Sequence, residues 1–293
     1  MNIIPVCFDS MGLRSTCTFV HSDKLNILID PGLALATSRL GYPPTNVELN
    51  SFYIFKKKIL EFAKKSEVIV ITHYHYDHYI SSQDECFDEL YADKIVLCKN
   101  RKTKLNFNQR TRGKEFELSV KRVCKEFHFI DGNEFVFDGV KIVFSPHMWH
   151  GAERSSDGYV IMASIISEGE KLLYSSDVVG PITDENTDYI IAQDPNIMIL
   201  CGPPTHLLGY DLAQGHLTVI NRQLEKIFKN CKKCKTIIYD HYILRDKEYM
   251  TYYSIWKKQA EKYKKKFLTA AEYAGVPIRQ LEANRREISS QEM

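Results

Sequence analysis

Residues 68–79, VIVITHYHYDHY, place three histidines and an aspartate within six positions, directly after four β-branched apolar residues. An apolar run that short reads as a buried strand, and its end hands over to His73, His75, Asp77 and His78. In an extended segment His73 and His75 point to one side, whereas Asp77 and His78, one turn on, reach a second position. Imidazole and carboxylate are the groups with which proteins hold zinc and other divalent transition metals. A lone histidine is ordinarily a packed or surface residue. Four such residues crowded at a strand end point to a metal site.

The same construction recurs along the chain. LNILI runs into Asp30, VKIVFSPHMW into His150, KLLYSS into Asp177 and KTIIYD into His241. Apolar strands that each deliver an Asp or His at the C-terminal end can converge at one edge of a sheet, where loops carry function. The ligands then suffice for two ions, with His73, His75 and His150 on one, Asp77, His78 and His241 on the other, and Asp177 between them. Two ions about 3.5–4 Å apart bind a bridging hydroxide, orient a substrate and stabilise a leaving oxygen. Zinc is the leading expectation for both ions, with iron and manganese as alternatives. SPHMWHGAE also offers His147 in place of His150.

The remaining runs, such as STCTFVH (15–21), KIVLCK (94–99) and NIMILCGPP (196–204), alternate with helical spacing over 47–65, which argues an α/β fold. Trp256, Ala260, Tyr263, Phe267, Ala270 and Ala274 recur at steps of three and four and predict a C-terminal helical segment over about 246–293. No linker or fixed-period repeat divides the 293 residues, so one domain spanning 1–293 is expected. With 44% hydrophobic residues and a net charge of +2, composition names no partner. The longest apolar runs are far too short for a bilayer, the N-terminus lacks a secretory pattern, and eight cysteines are scattered. A cytoplasmic protein with free thiols and no membrane contact is the expectation. Cys231-x-x-Cys234, a single pair among lysines, reads as a surface turn.

The full set, His-x-His-x-Asp-His at 73–78 followed by a later His, an Asp and a final His, resembles the metallo-β-lactamase superfamily. FDSMGLRSTCTFV, LIDPG, YSSDVVGP, GPPTHLLGY, DHYILRD and TAAEYAG extend the likeness to an archaeal branch of it across nearly the whole chain. The resemblance implies a four-layer αββα sandwich with a dinuclear site at one edge of the paired sheets. It implies that Asp30 orients the ligand loop by hydrogen bonding rather than binding metal. Its third motif, a His followed by Gly, favours His150 over His147 and leaves His147 beside the substrate.

The resemblance also implies a metal-dependent hydrolase in which Asp77 and Asp177 serve catalysis as well as metal binding. Residues 99–125 hold ten Lys or Arg against two Glu. They read either as a basic lip for a phosphoester or other small anionic substrate, with Arg110 and Arg112 as its contacts, or as a solvated stretch balanced by the acidic DECFDELYAD at 84–93. CGPPTHLLGYD (201–211) follows a strand, and His206, Thr205 and Tyr210 there are candidates to hold a substrate oxygen or protonate a leaving group. The rival readings are an iron-dependent oxidoreductase or dioxygenase on the same ligands, and a nucleic-acid-binding protein with a structural metal. The complete ligand set disfavours nucleic-acid binding alone. Oligomeric state is not legible.

Overall fold

The computed structural model describes residues 1–292. Six strands form one sheet in chain order: β1 (Asn2–Phe8), β2 (Thr16–His21), β3 (Asn26–Ile29), β4 (Val68–Ile71), β5 (Ile95–Cys98) and β6 (Glu126–Phe129). The second sheet holds β7 (Glu134–Phe137), β8 (Val140–Phe144), β11 (Ala163–Ser167), β12 (Glu170–Tyr174), β13 (Ile197–Cys201), β14 (Thr236–Asp240) and β15 (Lys266–Leu268). Between β8 and β11, a short hairpin of β9 (Met148–Trp149) and β10 (Tyr159–Val160) stands apart.

Side-chain alternation builds the layers. Ile27, Ile29, Val68, Val70 and Leu97 of the first sheet meet Ile142, Phe144, Leu172, Tyr174, Ile199 and Ile238 of the second in one buried cluster. The residues between them, Leu28, Ile69, Ile71, Val96 and Cys98, face outward. There they pack with Ile59 and Ala63 of α1 (Asn46–Lys65), Phe87 and Leu90 of α2 (Phe87–Tyr91), and Phe116 and Val120 of α3 (Phe107–Val120). On the far side, Leu173, Met198, Leu200, Ile237 and Tyr239 pack with Ile190 of α4 (Asp184–Gln193), Leu224 and Phe228 of α5 (Gln214–Asn230), and Trp256 of α6 (Met250–Lys262). A strict period of two on strands buried on both faces thus yields the αββα sandwich.

The C-terminal region departs from the helical segment expected there. After α6 the chain turns at Lys264 (φ 57°), and β15 pairs in parallel with β14 before α7 (Ala270–Ala274) and α8 (Arg285–Glu292). Phe267 fits a helical step of three or four, yet it is buried as a strand residue against Phe228 and Tyr239. An open sheet edge offers hydrogen bonds that a helix cannot use, and the tertiary context decides the ambiguous run. Cys231 and Cys234 also differ from the expected surface turn. Both are buried under α5, where burial pushes their thiols up to about 12 and about 11, and the amine of Lys265 donates to both of their carbonyls.

Because β1, β3 to β6, β8 and β12 to β15 all run the same way within their sheets, their C-terminal ends collect along one edge. The site lies there.

Candidate metal centre

Asp30 follows β3, His73 follows β4 by one residue, Asp177 follows β12 and His241 follows β14. Asp30 (φ 46°), Ser176 (φ 54°) and His241 (φ 72°) adopt left-handed backbone, an uncommon conformation for residues with a Cβ that clusters where side chains must be aimed at a function. The β9–β10 hairpin pins His150, whose N–H donates to the Gly158 carbonyl at 3.0 Å. Gly32 carries the ligand turn. A Cβ there would stand 2.1 Å from the Tyr79 nitrogen and 2.5 Å from the His78 backbone, so no other residue lets the turn sit this close.

These elements bring all seven expected ligands together. Two of the groups whose ligand atoms converge are His73, His75 and His150 with Asp177, and Asp77 and His78 with His241. Asp177 Oδ2 is the point of convergence. It lies 3.2 Å from His78 Nε2, 3.4 Å from His241 Nε2, 3.5 Å from His150 Nε2 and 3.6 Å from His73 Nε2. Among the described residues, His78 Nε2, both ring nitrogens of His150 and Asp177 Oδ1 are buried with no hydrogen-bond partner. Buried polar atoms normally find partners, and orphans grouped around one carboxylate are what a cation site leaves behind. The donor set of imidazole and carboxylate fits zinc, iron or manganese.

The rings are held from behind. His78 Nδ1 lies 2.8 Å from Asp30 Oδ2, and Asp30 also accepts from the Thr72 N–H at 2.8 Å and the Tyr174 hydroxyl at 2.9 Å. His241 Nδ1 lies 2.7 Å from Asp9 Oδ2, and His73 Nδ1 contacts the Thr72 and Ser176 hydroxyls at 3.2 and 3.3 Å. Each contact occupies Nδ1 and turns Nε2 inward, fixing the orientation of the ring. Asp30 is thus placed behind His78, and it also groups with His73 and His78 as a candidate ligand.

Charge follows from these neighbours. Burial and His78 push the His73 imidazole well below its usual value, and burial and His150 take His75 down to about 4. Burial also opposes charge on His78 and His241. The carboxylates of Asp177 and Asp30 outweigh it at His78, and Asp177 with Asp9 raises His241 to about 9. Burial disfavours charge on Asp177 and Asp77 as well, yet His78 and His241 hold both below the ordinary carboxylate range. Several buried anions thus gather on protons that a divalent ion would displace.

Three contributors lie outside the sequence-based expectations. Asp9 ends β1 just as Asp30 ends β3, so VCFD carried the same strand-end signal. Arg245 donates through Nε to Asp9 at 2.6 Å and through Nη2 to Asp77 at 3.2 Å. Tyr242 lies with its ring 4.3 Å from the Arg245 guanidinium and donates its hydroxyl to Asp177 Oδ2 at 2.9 Å. No spacing in DHYILRD distinguishes these two from core residues.

The expected substrate contacts divide. His206 lines a cleft of about 540 Å³ that reaches His150, whereas Thr205 beside it is buried with an unpartnered hydroxyl. Tyr210 is 86% exposed and forms no part of either cleft beside the centre. Arg112 lines a second cleft of about 470 Å³ next to His75 and Asp77, stacked 4.3 Å over Tyr76. Arg110 instead turns back to the Leu105 carbonyl, and neither cleft includes it. His147 points away from the centre, in contact with Lys99 at 3.2 Å and Asp131 at 3.2 Å. His150 is the histidine that the fold places with His73 and His75.

Residues 11–86 match the family model of the metallo-beta-lactamase superfamily. The chain is 38% identical to a UPF0282 protein of Methanocaldococcus jannaschii, over 98% of this chain and 96% of that protein. It is 35% identical to a UPF0282 protein of Thermococcus gammatolerans, over 100% and 96%. Its fold is similar to that of the metallo-beta-lactamase fold protein YhfI from Bacillus subtilis, with a TM-score of 0.54, 11% identity, and coverage of 91% of this chain and 94% of that one.

Proposed function

We propose that this chain, which belongs to the UPF0282 family and whose residues 11–86 match the metallo-beta-lactamase superfamily model, is a metal-dependent hydrolase acting on a phosphoester or other anionic substrate. The observation that carries this reading is Asp177 Oδ2, faced by four imidazole nitrogens at 3.2–3.6 Å between two ligand groups. His73, His75 and His150 would hold one ion, Asp77, His78 and His241 the other, with Asp177 shared and zinc the leading choice. Two divalent ions held there would supply Lewis acidity to the reacting oxygens.

The chain's own residues do the rest. Asp30 and Asp9 keep His78 and His241 in the orientation that presents Nε2. Arg245 holds Asp77 and braces Tyr242, whose phenol donates to Asp177 Oδ2. Burial raises that phenol well above its usual value, so it stays a neutral donor able to hydrogen-bond a developing oxyanion. At His206, burial, Arg39 and Arg245 bring the imidazole down to about 4. It is therefore neutral at pH 7 and serves as a hydrogen-bond partner for substrate rather than a standing acid.

The test is hydrolysis by protein reconstituted with zinc, manganese or iron, on a panel of phosphoesters, lactones and thioesters. We expect turnover that a chelator abolishes, and Asp177→Asn to lose it by at least about a hundredfold while the fold persists. Unchanged turnover in Asp177→Asn would refute the assignment.

A further inference from the structure

The buried face of α3 is not built like that of a core helix. It holds Gln109, Gly113, Phe116 and Val120, a stripe at steps of three and four whose first two members are an amide and a glycine rather than hydrocarbons. Both meet Tyr74, which lies between His73 and His75 and buries its ring against Phe116. Gln109 Oε1 accepts the Tyr74 N–H at 3.1 Å, and Arg112 Nη1 donates to the Tyr74 carbonyl at 3.3 Å. Two side chains about one helical turn apart thus hold both backbone groups of residue 74, as a neighbouring strand would. Gly113 permits the approach, since a Cβ there would stand 2.7 Å from the buried Tyr74 ring.

The same amide reaches the hairpin that holds His150. Gln109 Nε2 donates to the Asp157 carbonyl at 2.8 Å, and Asn106, which caps α3, donates through Nδ2 to the Ser156 carbonyl at 3.0 Å. The next carbonyl, that of Gly158, accepts the His150 N–H at 3.0 Å. Gln109 therefore joins the segment carrying His73 and His75 to the turn that pins His150. Burying an amide for packing alone is costly, because its oxygen and nitrogen must both find partners where hydrocarbon needs none. Here both are spent on backbones that carry ligands. Resting on the two-ion reading above, we propose that Gln109 is a positioning residue for the first ligand group, setting His73 and His75 against His150. The second group takes its support elsewhere, from Asp30, Asp9 and Arg245. Loss of Gln109 is then felt chiefly at one ion.

The test reads metal affinity and amide exchange, neither of which needs turnover. Cobalt(II) is titrated into wild type, Gln109→Leu, Gln109→Glu and Val120→Ala, the last loosening α3 about three turns further along. His150→Ala identifies which binding step belongs to the first group. We expect Gln109→Leu to weaken that step at least about tenfold and the other step less than about threefold. In metal-free protein, the Tyr74 and His150 amides of Gln109→Leu should both exchange at least about tenfold faster. Gln109→Glu keeps an acceptor for Tyr74 but repels the Asp157 carbonyl, so only the His150 amide should be freed. Val120→Ala should lower stability and leave both cobalt steps unchanged. Circular dichroism verifies folding, and if Gln109→Leu fails to fold, Gln109→Glu carries the cobalt test through the hairpin alone. A first step indifferent to Gln109, equal weakening of both steps, or the same loss in Val120→Ala would overturn the positioning role. Wild type binding no cobalt would instead overturn the two-ion reading itself. The expected cobalt pattern without turnover on any ester would retire the hydrolase reading and leave the role of Gln109 standing.

Discussion

Asp177 Oδ2 organises the centre at the residue scale, and the Tyr242 hydroxyl donates to it. A phenol there has two effects that substitution can separate. Its removal leaves the seven candidate His and Asp ligands in place. It deletes a donor aimed at the place where charge develops. Tyr242→Phe should therefore retain its metal content while turnover falls roughly tenfold to a hundredfold, most for substrates with poor leaving groups. Steady-state kinetics across a leaving-group series checks this, and undiminished turnover would remove Tyr242 from the reaction. Residue-scale legibility was uneven for a physical reason. A ligand is visible in sequence because His and Asp are costly at a strand end unless they are used. Tyr242 and Arg245, by contrast, are read only once the fold brings residues 9, 77 and 245 together.

At the scale of elements, the strand ends were legible and the path after α6 was not. Short β-branched runs such as VIVI suit strands buried on both faces, so β4 and its ligand turn are read from composition and punctuation. The 256–274 stretch keeps helical spacing throughout, yet Lys266–Leu268 within it pairs as a strand with the free edge of β14. Asp9 was missed although β1 repeats the apolar-run-then-Asp construction, because its contact with His241 joins residues 232 apart in sequence. The tightest local dependence is that of the ligand turn on Gly32. Gly32→Ala pushes a methyl group into the backbone of His78 and Tyr79, atoms that cannot swing aside. A loss of about 3 kcal/mol or more is expected in chemical denaturation, together with weakened metal binding. Near wild-type stability would show that the turn is looser than the structure describes.

Across the whole molecule, the C-terminal segment ties the first-sheet side together beside the site. Arg285 is fully buried and donates to Glu48 of α1, with Nη2 at 2.7 Å from Oε1 and Nε at 2.9 Å from Oε2. Glu48 also closes the capping box with Thr45 that starts α1. Breaking one partner of such a pair strands a buried charge, so Arg285→Ala should cost about 3–5 kcal/mol, whereas Arg285→Met with Glu48→Leu should recover most of it. A cost below about 1 kcal/mol for Arg285→Ala in urea denaturation would contradict the burial described. Two sheets with parallel strand ends on one edge, helices on both flanks and a C-terminal clasp together hold one cluster of buried imidazoles and carboxylates. Metal occupancy of that cluster is the property on which its assignment stands or falls. Elemental analysis of the purified, reconstituted wild type should give about two divalent ions per chain, falling by about one in His150→Ala. No bound ion after reconstitution, or a stoichiometry that His150→Ala leaves unchanged, would contradict it.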